Sequence, residues 1–144
     1  HYASMINKDT IKAKLNILRE NLLNIKGILE LSDGKIQADN LSRSAMERFF
    51  QLMVDAAVGI NEHIISEENL EVPGDYFGTF SIVCKAGIFP ADFAQKIAPS
   101  VGLRNQLVHQ YEKIDTLKVI QDIRSNIHQY NEYLGYIVNY YKLE

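Results

Sequence analysis

Residues 39–66, DNLSRSAMERFFQLMVDAAVGINEHIIS, decide the fold. Leu41, Ala45, Phe49, Leu52, Ala56, Ile60 and His63 recur at helical spacing, and Phe50, Met53, Val54, Ala57 and Val58 widen the stripe into a broad apolar arc. An arc that wide predicts a long helix at the centre of a helical bundle. Ser44 and Asp55 interrupt it. Asp55 follows Arg48 by seven residues on nearly the same face, which points to a satisfied polar pair or a dimer-interface contact. His63 has no partner at metal-ligand spacing, since neither Glu62 nor Glu67 forms a recognisable metal motif with it. It reads as a surface or interface histidine.

Working outward to the N-terminus, about Asp9 to Leu31 reads as a long helix with Asp9 as N-cap. Ile11, Leu15, Leu18, Leu22, Ile25 and Leu29 form its apolar stripe, and Lys12, Lys14, Arg19, Glu20 and Lys26 its solvated face. Ser32-Asp33-Gly34 reads as the stop, with Gly34 suited to a left-handed conformation.

Toward the C-terminus, Glu67 to Asp75 is a turn-rich connection. Tyr76 to Ala86 reads as a short helix with Phe77, Phe80, Ile82 and Val83 inward, ended by Gly87. Another helix starts at Phe89-Pro90-Ala91-Asp92, with Pro90 tolerated in its first turn. Pro99 pushes Ala98 away from helical angles, so a break or kink is expected there, with Ser100 capping the restart. The final helix spans about Asp115 or Thr116 to Tyr141, with Asp115 as N-cap. Leu117, Ile120, Ile123, Ile127, Tyr130, Leu134, Ile137 and Tyr141 make its stripe, and His128 reads as a surface residue. Tyrosines 130, 133, 136, 140 and 141 could stack bases, but amphipathic core and interface roles fit them better. The expected fold class is all-α: an antiparallel bundle of four to five main helices with a short extra helix.

The chain has 144 residues, enough for one domain with a sizeable core. His1-Tyr2-Ala3-Ser4, before Met5, reads as a cloning remnant, and Leu143-Glu144 as another; residues 5–144 are expected to form a single helical domain. No segment has the apolar length to span a bilayer, and there is no signal-peptide pattern. A single cysteine, Cys84, suits a reducing cytoplasm and reads as a small core residue beside Ile82 and Val83. The formal charge of −3 argues against broad, sequence-independent nucleic-acid binding. There is no internal repeat, Gly-rich phosphate loop or paired-carboxylate motif.

The chemistry concentrates in Arg104-Asn105-Gln106-Leu107-Val108-His109-Gln110-Tyr111. Arginine grips phosphate through a planar fork of donors, and histidine transfers protons in both directions near neutral pH. Together they suit phosphodiester cleavage, although on residue types alone an arginine and a histidine near a helix end are more often a capping or solvated pair. On a continuous helix, residues five apart point about 140° apart. Arg104 and His109 converge only if the helix ends between them or two chains face each other, whereas Asn105 and His109 share a face. The helix is expected to fray near Val108, leaving His109, Gln110 and Tyr111 at its mouth. A helix C-terminus favours a protonated His109. An acidic chain that cuts RNA needs a local basic cleft, and a homodimer bringing two Arg104 side chains together would make one.

Arg104-Asn105-x-x-x-His109-x-Tyr111 resembles the Arg-x4-His-x-Tyr signature of the HepT-like toxins, within the HEPN group of small helical ribonucleases. The run from Gly102 to His109, the following Tyr111 and Ile114-Asp115, and the order of helices all fit. The resemblance implies that Arg104 and His109 act in RNA cleavage and Asn105 assists. It implies that Tyr111 receives AMP from a partner minimal nucleotidyltransferase, the antitoxin. The implied protein is a cytoplasmic, homodimeric toxin that cuts RNA without metal or other cofactor, through attack by the ribose 2′-hydroxyl. The alternative is a non-catalytic helical module that binds a nucleotidyltransferase or a nucleotide.

Overall fold

The computed structural model describes residues 6–109 and 115–143, and every regular element among them is a helix. In chain order these are α1 (Lys8–Ile28), α2 (Asp33–Ala38), α3 (Asn40–Glu67), α4 (Tyr76–Lys85), α5 (Ala91–His109), α6 (Thr116–Asn126) and α7 (His128–Tyr141). They form an antiparallel helical bundle, as the apolar periodicities predict. None of these helices is long and apolar enough to cross a membrane.

The ends differ from expectation where local hydrogen bonding chose another residue. Asn7, not Asp9, caps α1, accepting from the amides of Asp9 and Thr10. Ser32 is not a stop but the N-cap of the short helix α2, accepting from Lys35 N. A serine followed by an aspartate in the first turn is a start signal as much as a turn signal. Gly34 sits inside α2 rather than in a left-handed turn. Pro90 stands just outside α5, where its carbonyl accepts from Ala94 N. Asp75 and Asp115 cap α4 and α6. Gly87 ends the α4 turn with φ +91°, a left-handed value that a side chain disfavours.

The central helix is α3, and its buried face is the widened part of the arc: Met46, Phe50, Met53, Val54, Ala57, Val58, Ile60, Ile64 and Ile65. The stripe through Ala45, Phe49, Leu52 and Ala56 is only half-buried, and Leu41 is 81% exposed. Phe77 and Leu117 also lie outside rather than inward, at 41% and 38% exposure. Leu143 is buried, and its amide bonds to Val138 O, so it belongs to the packed core. Tyr130, Tyr133 and Tyr141 are core residues that no base could reach.

Two corrections concern continuity. The single C-terminal helix is two, because a short i→i+3 bond from Tyr130 N to Ile127 O interrupts the ladder at Ile127. The reverse holds at Pro99, where α5 runs on without a break. Pro99 and Gln95 both lie on the exposed side, where the Gln95 carbonyl left without an amide donor can be hydrated. Ser100 therefore does not cap a restart. Its buried hydroxyl bonds to Ile97 O and to the Tyr130 hydroxyl, each at 2.6 Å.

A second buried polar chain crosses the core. The Tyr133 hydroxyl donates to Asn61 Oδ1 (2.6 Å), Asn61 Nδ2 donates to Thr79 Oγ1 (3.1 Å), and Thr79 Oγ1 donates to the carbonyl of Tyr76 (2.7 Å). It locks α7, α3 and α4 in register and fixes the backbone of Tyr76. Tyr133→Phe is expected to cost about 1–3 kcal/mol, because Asn61 Oδ1 stays buried without its donor. Urea melts measure this, and an unchanged midpoint would show the chain to be dispensable.

Candidate active site

The site forms where α3, the start of α4 and the last third of α5 meet. Arg104 lies on α5 with its side chain only 12% exposed. Its Nε donates to Asp55 Oδ1 at 2.9 Å and its NH1 to Asn105 Oδ1 at 3.1 Å. The guanidinium carbon lies 4.7 Å from the ring centroid of Tyr76, the first residue of α4. Burial, followed by the nearby Asp55 charge, raises the Tyr76 phenol above its ordinary pKa against the opposing pull of Arg104. Tyr76 therefore keeps its proton at neutral pH.

Arg104 and Asn105, adjacent in sequence, are joined by the bond from Nη1 to Oδ1. His109 is the last residue of α5 and is exposed. The helix is followed through His109, one residue past the expected fraying at Val108, and residues 110–114 lie outside those described. Arg104 and His109 therefore sit on one unbroken helix, with their side chains about 140° apart. Asn105 and His109 share a face, one turn apart. Tyr111 and Ile114 lie outside the described residues.

Asp55 and Tyr76 are the residues that sequence reasoning missed as partners of Arg104. The local sequence paired Asp55 with Arg48; the fold pairs it with Arg104, 49 residues away. The one available signal was a lone carboxylate interrupting a broad apolar arc. His63 is half-buried with Nε2 unbonded, and among the described residues no three His, Cys, Asp or Glu side chains gather as a metal site needs.

The site suits an anion. Two of the five arginine N–H donors are committed, which leaves one on Nη1 and two on Nη2 for a phosphate. A profile described as Ribonuclease HepT-like matches residues 18–137. The tRNA nuclease HepT of Aphanizomenon flos-aquae is 32% identical over 130 residues, spanning 90% of this chain and 88% of that protein. The mRNA nuclease HepT of Shewanella oneidensis is 21% identical over 87 residues, 60% of this chain and 65% of that protein. The tri-AMPylated Shewanella oneidensis HEPN toxin, solved in complex with MNT antitoxin, superposes with a TM-score of 0.82 at 18% identity. That superposition covers 91% of this chain and 98% of the toxin, and shows a common fold. The chain belongs to the HepT-like ribonuclease family. The enzyme class that the Arg104–His109 motif predicts is the class that this family defines.

Proposed function

We propose that this protein is a ribonuclease toxin of the HEPN type, paired with a minimal nucleotidyltransferase antitoxin, and that it cuts RNA at Arg104, Asn105 and His109. The observation that carries the reading is the Arg104 guanidinium. It is held on three sides with both Nη2 donors and one Nη1 donor uncommitted, on the same helix as an exposed histidine, in a chain of a ribonuclease family. Arg104 stabilises charge on the phosphate as it passes through the transition state. His109 removes the proton of the ribose 2′-hydroxyl or returns one to the leaving 5′-oxygen. Asn105, sharing a face with His109, orients it or the phosphate. The cut leaves a cyclic phosphate, and DNA, which lacks the 2′-hydroxyl, is spared.

Because α5 continues through His109, convergence within one chain is disfavoured, and we assign the complete site to a homodimer. The half-buried apolar stripe of α3, with Phe49, Leu52 and Ala56 beside Asp55, is the surface that would meet its copy. The absence of a membrane-crossing helix among the described residues fits a cytoplasmic protein.

Purified protein incubated with RNA and a chelator is expected to give fragments ending in 2′,3′-cyclic phosphate. Cleavage that stops on chelation and returns with a divalent cation would refute the metal-independent chemistry. One observation favours the alternative of a non-catalytic binding module: Arg104 already has an internal carboxylate partner. That reading predicts nucleotide or transferase binding without any cleavage.

A further inference from the structure

The motif itself does not explain why Arg104 is tied to a residue of another helix. Arginine has a long, rotamer-rich side chain, and a phosphate-gripping fork is effective only if its donors are already aimed. Of the arginine donors Asp55 takes only the Nε–H, at 2.9 Å through one oxygen, and leaves the Nη1 and Nη2 ends to point onward. Asn105 takes one NH1 hydrogen and sets the rotation of the fork. Tyr76 lies under the guanidinium at 4.7 Å and limits its tilt. Tyr76 is fixed in turn, because its carbonyl ends the buried chain Tyr133–Asn61–Thr79. Arg104 is thus positioned by α3 and α4, each anchored in the core.

We propose that Asp55 is a positioning residue for RNA cleavage, holding Arg104 through Nε on the face of Tyr76 so that its terminal edge meets the scissile phosphate. The inference rests on the ribonuclease reading above and adds to it a residue outside the motif. It opposes a second effect that the same ion pair could have. A carboxylate 2.9 Å from the guanidinium also competes with an incoming phosphate, and if that masking dominated, removing Asp55 would strengthen RNA binding. The one-oxygen contact at Nε favours positioning, because it blocks none of the terminal donors.

The two effects separate in steady-state kinetics on RNA, with kcat expressed per folded molecule from circular dichroism. Asp55→Ala is expected to lower kcat about ten- to a hundredfold with KM within about twofold of wild type. Asp55→Asn keeps an acceptor oxygen at nearly the same place and is expected to recover most of that loss. In an Arg104→Lys background, which has no Nε–H, Asp55→Ala should cost nothing further. A lowered KM with unchanged or raised kcat in both Asp55 variants would overturn positioning in favour of masking. A fall in thermal stability with kcat per folded molecule unchanged would reduce Asp55 to a structural role and overturn it as well. If wild type cuts RNA and Asp55→Ala cuts equally well, this assignment alone falls. If wild type cuts no RNA at all, the ribonuclease reading falls and takes Asp55 with it.

Discussion

His109→Ala protein is expected to fold as wild type does and to cut RNA at least about a hundredfold more slowly. Arg104→Ala should show a loss of similar or greater size, since a missing donor to transition-state charge costs about 10²–10³ in rate. The structure makes the two losses different in kind. His109 is exposed at the end of α5, so truncating it would remove the proposed proton-transfer group and little packing. Arg104 is a packed member of an ion pair and an aromatic contact, so its removal also leaves Asp55 without its cation. Some loss of stability should therefore accompany Arg104→Ala and not His109→Ala, and thermal melts beside the rates will separate the two. A well-folded His109→Ala protein with undiminished cleavage would remove His109 from the mechanism.

The unbroken helix adds a sharper form of that experiment. With the two side chains about 140° apart, the proposed homodimer would take the arginine of each site from one subunit and the histidine from the other. Two inactive variants, Arg104→Ala and His109→Ala, then complement on mixing. Each mixed dimer carries one site with both residues missing and one intact, so about half the wild-type rate per mixed dimer should return. If each site draws both residues from one chain, every site in the mixture lacks one group and no activity returns.

Helix content was legible because burial imposes a period that short windows reveal. The α1 stripe is buried at Ile11, Leu15, Leu18, Leu22 and Ile25 as read. On α3, eleven apolar positions cover so much of the circumference that spacing alone does not separate the core face from the rim; Leu41 is exposed and Phe49 only half-buried against the core. The break at Ile127 was invisible because Ile123, Ile127, Tyr130 and Leu134 keep helical spacing straight through it. At Pro99 the local rule predicts a break or kink, but flanking contacts of Ile97, Ser100 and Val101 in the core carry the helix past a proline on its wet side. In the candidate site, Arg104 and Asn105 are adjacent in sequence, so their contact needs no folding to bring them together. Asp55 and Tyr76 reach Arg104 only through folding, and nothing in a linear pattern encodes a partner 49 residues away.

Adenylylated protein is expected to lose RNA cleavage while keeping its helical content, and Tyr111→Phe should cut RNA yet escape that silencing. Tyr111 stands two residues after His109, just past the point to which α5 is followed. In the proposed reaction its hydroxyl attacks the α-phosphate of ATP on the partner transferase, pyrophosphate leaves, and the phenolic oxygen keeps AMP. Each AMP would add bulk and a negative charge two residues along the chain from His109, and its phosphate would compete with RNA for the proposed grip of Arg104. Incoming RNA then meets an occupied phosphate site and like charge at its entrance. Because the effect acts on access, the adduct should raise KM or abolish detectable cleavage without lowering the melting temperature. Intact-protein mass spectrometry after incubation with the cognate transferase and ATP reads the adduct, and cleavage assays on the same samples read its consequence. Added salt gives a further check, since screening should weaken the electrostatic share of the block and leave the steric share. Adduct formation that is equal on Tyr111→Phe would place the acceptor elsewhere. Adducted wild-type protein that still cuts at the full rate would show that AMP leaves Arg104 and His109 accessible, and the switch would have to be abandoned.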